Sequence, residues 1–340
     1  MKAARIHAYK KPLVIEDVPT PRPEVGEVIV RVLGAGFCHS DLHVIDGDIQ
    51  VLPHMPMILG HENAGRVSAV GQGVTSVKEG DAVVVFGGWG CGRCDYCVSG
   101  LDQLCGDAQW CGLSKWDGGY AEYLRVPRER YLIKTTLDPV RAAPLTDAAL
   151  TPYRAIKKAL PHLQPDHAAL VIGVGGLGQY GLKLLRLLSG TPIIAVDSSP
   201  SKRMTALELG ASLALDPEDP ELAHKIAAAS KDGVSAAFDF VGSEETLATA
   251  IASTRTLGKV FQVGLAGGSA RMKVLENTRF EVGFEATLWG TIKELREVVA
   301  LVEDGRLTLN DSELQPLDKI NEVYARLKRG DVKGRVIMTP

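Results

Sequence analysis

Four of the six cysteines lie close together in CGRCDYCVSGLDQLC: they are Cys91, Cys94, Cys97 and Cys105. Four thiolates at C-x2-C-x2-C-x7-C spacing in a short glycine-bearing loop can surround Zn²⁺ as a closed tetrahedron. All six cysteines fall between Cys38 and Cys111, and in a reducing compartment that crowding favours metal binding over disulfides. The spacing therefore predicts a structural zinc ion that orders the loop. Cys111 is left over as a buried or idle thiol.

A second set of possible metal ligands is dispersed along the chain. Cys38 lies in GAGFCHSDLH and His61 in ILGHENAG, each at the edge of a glycine-marked turn. A thiolate and an imidazole suit zinc, but two ligands do not make a site. Asp147 stands in the apolar segment AAPLTDAALTPYRAI, where a carboxylate needs a cation or hydrogen-bond donors to offset its lost hydration. These residues alone leave open whether Asp147 binds a metal, caps a helix or lies at the surface.

A glycine-rich turn in VIGVGGLG follows an apolar strand pattern and opens a helix pattern. This is the context in which G-x-G-x-x-G binds a pyrophosphate at the N-terminus of the helix. The first glycine permits the tight turn, the second lets the backbone approach the phosphates, and the third lets helix and strand pack. The residues expected to contact a dinucleotide here are Gly173, Gly175, Gly176, Leu177 and Gly178.

Asp197 ends the next apolar strand pattern, PIIAVD, 19 residues beyond Gly178. A carboxylate at this place accepts hydrogen bonds from the adenosine ribose and repels a 2′-phosphate, which predicts NAD rather than NADP. Arg203 is also expected near the cofactor, and together with Lys202 it could weaken that discrimination. A helix N-cap before SSPSKR is the alternative role for Asp197.

The pattern of elements changes along the chain. The first 80 residues alternate short β-rich runs with glycine and proline turns, as in a barrel-like region. From about residue 166, buried strands alternate with amphipathic helices, which predicts a parallel doubly wound sheet. The length of 340 residues fits about two domains. The tail after about residue 290 could complete either one.

Composition and charge exclude several classes of partner. With 45% hydrophobic and 23% charged residues the chain reads as globular, and its net charge of −3 argues against nucleic acid or an anionic membrane. No apolar run approaches the length of a bilayer span, and MKAARIHAYKKPLVIEDVP lacks the apolar core of a signal peptide. We therefore expect a cytoplasmic protein.

Several motifs in one order resemble the zinc-dependent alcohol dehydrogenases of the medium-chain dehydrogenase/reductase family, including bacterial secondary alcohol dehydrogenases. They are GFCHSDLH, GHE, the four-cysteine loop, GGYAEY, AAPLTDAALTPYRAI and GVGGLG. The resemblance implies an α/β fold in which residues 1–150, completed by 291–340, form a GroES-like catalytic domain. Residues 151–290 would form a Rossmann NAD-binding domain, with catalysis in the cleft between the two.

The resemblance also implies a reaction and a role for Asp147. A zinc-bound alkoxide would transfer hydride to the nicotinamide, so that alcohols, secondary ones above all, are interconverted with ketones or aldehydes. In many relatives a cysteine stands where this chain has Asp147, as the third ligand of the catalytic zinc beside Cys38 and His61. Replacing a thiolate by a carboxylate keeps the formal charge of the ion and its ligands at zero. We therefore expect two zinc ions per chain, one catalytic and one structural.

The same resemblance assigns further roles. Ser40 would contact the substrate oxygen, and His43 would pass the alcohol proton to solvent by way of the cofactor ribose. Asp41 would orient the histidine ligand, and Glu62 would approach the zinc when water is displaced. Arg335 in VKGRVIM resembles the family's pyrophosphate-binding arginine, with a surface charge at a strand end as the alternative.

Three other functions fit parts of this pattern. A zinc-dependent polyol or amino-alcohol dehydrogenase is the main alternative. Cys38, His61 and the four-cysteine loop argue against a zinc-free reductase, and Ser40 and His43 argue against a non-catalytic nucleotide-binding structural protein. The expected partner is a small alcohol, ketone or aldehyde. The resemblance also implies a homo-dimer or homo-tetramer, and GKVFQVGLA could be a sheet edge that pairs across a two-fold axis.

Overall fold

The computed structural model describes residues 1–340 apart from the side chains of Glu276 and Arg279. The chain forms two compact units: Met1–Leu150 together with Trp289–Pro340, and Thr151–Leu288. None of the helices among the described residues is long and apolar enough to cross a membrane.

The strands are numbered along the chain. They are β1 (Lys2–Ile6), β2 (Val14–Asp17), β3 (Val28–Phe37), β4 (Met57–Ile58), β5 (Glu62–Val70), β6 (Ala82–Val85), β7 (Gly88–Trp89), β8 (Gln109–Trp110), β9 (Tyr123–Val126), β10 (Leu132–Lys134), β11 (Ala169–Ile172), β12 (Ile193–Val196), β13 (Leu213–Leu215), β14 (Val234–Asp239), β15 (Thr254–Gln262), β16 (Gly283–Ala286), β17 (Ser312–Pro316) and β18 (Arg335–Thr339).

The α-helices are α1 (His39–Ile45), α2 (Asp95–Val98), α3 (Pro139–Ala142), α4 (Leu150–Ala159), α5 (Gly176–Leu188), α6 (Pro200–Glu208), α7 (Leu222–Ser230), α8 (Glu244–Ser253), α9 (Val274–Phe280), α10 (Ile292–Glu303) and α11 (Ile320–Lys328). Short 3₁₀ helices connect several of them, and the one at Ala143–Thr146 lies directly before Asp147.

The first unit is built around a mixed sheet of seven strands. Its order is β10-β6-β5-β3-β18-β17, with β9 also paired to β3. The C-terminal strand β18 runs antiparallel to β3, with Val336 opposite Phe37 and Met338 opposite Ala35. The tail of the chain, whose pattern fits either domain, thus completes the sheet of this unit. The pairing brings Arg335 to the end of β3 that precedes Cys38.

The second unit contains a six-stranded parallel sheet in the order β13-β12-β11-β14-β15-β16. All four residues of β11 and of β12 are buried, as expected for strands covered by helices on both faces. The strand order is that of a doubly wound dinucleotide-binding sheet. The predicted α/β fold class with a doubly wound parallel sheet is confirmed.

The sheet edge differs from the one that the sequence predicted. GKVFQVGLA falls on β15, which is paired with β14 on one side and with β16 on the other. The prediction of an edge strand there was wrong, because the short segment Gly283–Ala286 forms one further strand of the sheet. The edge strand on this side of the sheet is β16, and β13 is the edge strand on the other side.

The three glycines of the nucleotide motif meet different constraints. Gly173 has φ +88°, in the left-handed region that a side chain rarely adopts. A Cβ at Gly178 would overlap the carbonyl oxygen of Gly173, since α5 packs directly against the turn after β11. A Cβ at Gly175 would meet nothing within 4 Å. The packing of the fold therefore requires a glycine at position 178 but not at position 175.

We expect Gly178→Ala to destabilise the second unit by about 1–3 kcal/mol, because the added methyl group forces helix and strand apart. Gly175→Ala is the matched control and should leave the unfolding temperature nearly unchanged. Thermal unfolding followed by circular dichroism measures both. Equal unfolding temperatures for the two variants would contradict the packing role of Gly178.

Candidate active site and metal centres

Residues far apart in the sequence converge at the first of two candidate metal centres. The Cys38 thiol, the His61 imidazole and the carboxylates of Glu62 and Asp147 have ligand atoms within 4.8 Å of one another, all buried. Oδ2 of Asp147 lies 3.5 Å from the Cys38 sulfur and 3.7 Å from Nε2 of His61. Cys38 follows β3, His61 precedes β5, and Asp147 follows the 3₁₀ helix Ala143–Thr146.

The donor set fits zinc. A thiol, an imidazole and a carboxylate facing one another out of water are chemically distinct groups that a divalent cation would bind together. Two ionised acids at this depth are costly without a cation, and Zn²⁺ with Cys⁻, Asp⁻ and neutral His sums to zero charge. Cys38, His61 and Asp147 would hold the ion and leave a position open for substrate.

Asp41 lies behind two of these residues. Its Oδ2 accepts hydrogen bonds from the backbone N–H of Cys38 at 3.0 Å and from the Tyr120 hydroxyl at 2.7 Å. Its Oδ1 lies 3.5 Å from Nδ1 of His61, so the opposite nitrogen, Nε2, faces Asp147. Asp41 thus faces the histidine, and its role in orienting the ring stays a prediction. Tyr120 lies in GGYAEY, a motif that supported the resemblance but suggested no role for the tyrosine.

Arg335 and Glu62 form an ion pair beside the ligand set. Nη2 of Arg335 lies 2.5 Å from Oε1 of Glu62, and 3.6 Å from both the Cys38 sulfur and Oδ2 of Asp147. Burial raises the pKa of the Glu62 carboxyl to about 8, and the Arg335 cation counteracts part of that rise. A Cβ at Gly36 would overlap Oε2 of Glu62, so this glycine makes room for the carboxylate.

The position of Arg335 settles one alternative. Its side chain is 3% exposed, so the prediction of a surface charge at a strand end is wrong. Its contact with a cofactor pyrophosphate stays a prediction. Sequence reasoning missed the pairing with Glu62, because the two residues are 273 positions apart and share no motif.

The two residues predicted to handle the proton lie on α1. Oγ of Ser40 is 3.7 Å from the Cys38 sulfur, at the ligand set. His43 is one helical turn further on and is half-buried, with Nδ1 3.4 Å from Oδ2 of Asp48. Asp48 is mostly exposed, so the His43 imidazole lies close to solvent. The sequence had not singled out Asp48.

The four-cysteine loop forms the second candidate metal centre. The sulfurs of Cys91, Cys94, Cys97 and Cys105 all lie within 4.8 Å of one another. Those of Cys91 and Cys97 are 4.0 Å apart, close to the roughly 3.8 Å edge of a tetrahedron with Zn–S bonds of about 2.3 Å. A Cβ at Gly90 would overlap the Cys97 sulfur, so a glycine is needed next to the first ligand. The set fits a closed structural zinc.

Cys111 lies outside both centres. It is fully buried, and its sulfur accepts a hydrogen bond from Nδ2 of Asn63 at 3.4 Å. Burial raises the pKa of this thiol to about 12, so it stays protonated and unreactive at neutral pH.

At the nucleotide motif, Asp197 holds the glycine turn. Its Oδ2 accepts a hydrogen bond from the backbone N–H of Val174 at 2.7 Å, and its Oδ1 accepts one from Ser199 at 2.9 Å. Ser199, and not Asp197, is the N-cap residue of α6. Arg203 donates to the Asp197 carbonyl and pairs with Asp216 at 2.9 Å, which neutralises its charge.

Comparison with known proteins decides the family. Residues 24–136 match the family described as alcohol dehydrogenase GroES-like domain, and residues 176–304 match the zinc-binding dehydrogenases. An alcohol dehydrogenase of Geobacillus stearothermophilus is 36% identical over 343 residues, 99% of each chain. The chain belongs to the zinc-binding alcohol dehydrogenase family. The resemblance drawn from the sequence, including the GroES-like domain and enzymatic function, is confirmed.

Solved structures agree with this membership. The alcohol dehydrogenase of Aeropyrum pernix superposes with a TM-score of 0.94 at 38% identity and covers all of both chains. A cobalt- and zinc-bound alcohol dehydrogenase of Pyrobaculum aerophilum covers 100% of this chain and 99% of its own, with a TM-score of 0.89 at 28% identity. A D-arabinose 1-dehydrogenase (NADP(+)) of Saccharolobus solfataricus is 36% identical over 100% of this chain and 97% of its own. Family members therefore differ in substrate and cofactor.

Metal analysis should give two zinc ions per chain, one at each centre. We expect Asp147→Asn to lose the ion at the open centre and keep the other, because a neutral amide binds zinc more weakly than a carboxylate. Asp147→Cys should keep both, since it restores an anionic ligand. Two zinc ions and full activity in Asp147→Asn would contradict the ligand role, because a helix cap tolerates that change.

Proposed function

We propose that this family member oxidises secondary alcohols to ketones, and reduces ketones or aldehydes in reverse, with NAD as its cofactor. The observation that carries the proposal is the convergence of Cys38, His61 and Asp147 beside the hydroxyl of Ser40. When bound, zinc supplies the Lewis acidity that makes the alcohol proton easier to lose, and NAD supplies the hydride acceptor.

The proton leaves through groups of this chain. Ser40 lies beside the ligand set, where its hydroxyl can accept the substrate proton and donate its own. His43, one turn along α1 and next to the exposed Asp48, can release a proton to solvent.

The charges of the site balance when the ion is present. Cys38, Asp147 and Glu62 contribute three negative charges as ionised groups, and Zn²⁺ with Arg335 contributes three positive ones. Burial raises the pKa of Glu62 to about 8, but the positive charge of a bound ion together with Arg335 would favour the ionised form, and the ion pair would keep this carboxylate outside the ligand set. The 2.5 Å contact between Arg335 and Glu62 supports this division of roles.

The assembly and compartment are also proposed. We propose a homo-dimer or homo-tetramer in which β16 pairs with its copy, since Gly283–Ala286 is a sheet edge and Phe284 on it is 40% exposed. We propose that the protein acts in the cytoplasm, because all six cysteines are free. Light scattering measures the assembly.

A panel of alcohols with absorbance of the reduced cofactor as readout tests the reaction. We expect the highest kcat/KM for small secondary alcohols, and we expect Ser40→Ala to lower kcat by roughly 100-fold with both zinc ions retained. Sorbitol serves as the polyol arm and D-arabinose as the aldose arm. A higher kcat/KM for sorbitol would favour a polyol dehydrogenase instead, and a higher one for D-arabinose would favour a sugar dehydrogenase.

We expect kcat/KM with NAD to exceed that with NADP by roughly tenfold or more, because Asp197 would face the 2′-phosphate with a like charge. Asp197→Asn removes the charge at nearly constant shape and should reduce the preference. Asp216→Asn is the companion variant: it leaves Asp197 intact but frees Arg203, and should improve NADP use. Equal use of both cofactors by the unmodified protein would refute the role of Asp197.

A further inference from the structure

Trp289 packs between two of the segments that carry the ligand set. Its indole Nε1 donates a hydrogen bond to the carbonyl oxygen of Thr146 at 2.7 Å, and Thr146 directly precedes Asp147. The indole also meets the His61 ring edge to face, with ring centroids 5.7 Å apart and planes at 82°. One buried side chain thus contacts the expected ligand His61 and the residue directly before the expected ligand Asp147.

The backbone of Trp289 indicates that these contacts are strong. Its φ is +49°, in the left-handed region that a bulky residue rarely occupies. Such a conformation persists when the surrounding contacts outweigh its cost. The indole also lies against Phe86, with ring centroids 6.2 Å apart.

Gly87 is shaped to admit the indole. A Cβ at Gly87 would lie 2.6 Å from Cη2 of Trp289 and 3.2 Å from the carbonyl oxygen of His61. The φ of Gly87 is not positive, so a glycine is needed here to leave room for the indole and not to allow an unusual backbone conformation. Gly87 and Trp289 are therefore complementary in shape at the edge of the site.

We propose that Trp289 is a positioning residue of the open zinc centre. An aspartate has a short side chain, so the backbone at 146–147 decides whether its carboxylate reaches the Cys38 sulfur and the His61 ring. The indole N–H fixes that backbone, while the ring fixes one side of His61 and Asp41 faces the other. The proposal rests on the proposed function, since it assumes that Asp147 binds zinc.

Two substitutions separate the two contacts. Trp289→Phe keeps a ring against His61 and removes the N–H, whereas Trp289→Leu removes both. Zinc release to a chromophoric chelator and the visible spectrum of cobalt-substituted protein report on the centre without turnover. We expect release from the open centre to be roughly tenfold faster in Trp289→Leu and less accelerated in Trp289→Phe, with the cobalt bands shifted. The four-cysteine centre is the internal reference and should not change.

Two further variants make the test specific. Gly87→Ala keeps the indole but displaces it, and should change release and spectrum in the same direction. Trp89→Phe is the matched control: this buried indole donates to the Phe86 carbonyl at 2.5 Å and packs on Trp116 and Tyr131. It should leave release from the open centre unchanged.

The outcomes distinguish this proposal from the proposed function on which it rests. Wild-type release rates and cobalt spectra in Trp289→Phe, Trp289→Leu and Gly87→Ala would overturn the positioning role while leaving zinc at Asp147 intact. Equal effects from Trp89→Phe would also overturn it, because the loss of any buried indole would then accelerate zinc release. Unmodified protein with zinc at the four-cysteine centre alone would refute the proposed function, and this proposal with it.

Discussion

The main constraint on this structure is electrostatic: several acidic groups are buried together and need a compensating cation, which is Arg335. Cys38, Glu62 and Asp147 lie out of water within a few ångströms of its guanidinium, where an unpaired charge would be costly. The guanidinium arrives on the C-terminal strand β18, which pairs with β3 just before Cys38. The pairing of β18 with β3 therefore completes the sheet and also brings the guanidinium to the buried acidic groups. The same strand thus supplies the positive charge that stabilises them.

Asp147 changes what the surrounding residues must do. The resemblance gives many relatives a cysteine at this position, and a carboxylate would keep the formal charge of the site the same. If Asp147 holds the ion, its oxygen would be a harder ligand than sulfur and would donate less electron density, so the ion would be a stronger Lewis acid. The residue sits at the end of a 3₁₀ helix, and its reach depends on where that helix stops. Contacts to the backbone beside Asp147 would therefore help to place its carboxylate for a metal ion.

Both units use glycine where another group must approach closely. Gly36 leaves space for the Glu62 carboxylate, Gly87 for an indole and Gly90 for a cysteine sulfur, while Gly178 lets a helix pack on a turn. Each of these positions touches a functional group or the segment that holds one. These four glycines therefore allow close approach at the two candidate metal centres and at the nucleotide turn.

The sequence by itself determined what is local. The four-cysteine centre and the glycine turn follow from residues close along the chain, because short spacing restricts how their groups can be arranged. The alternation of elements likewise predicted the doubly wound sheet, and the order of several motifs indicated the family. Tertiary structure alone decided the pairing of Arg335 with Glu62, the strand at the sheet edge and the indole beside Asp147. These join residues from distant elements, and no local pattern records which distant side chain will fill a given space or neutralise a given charge.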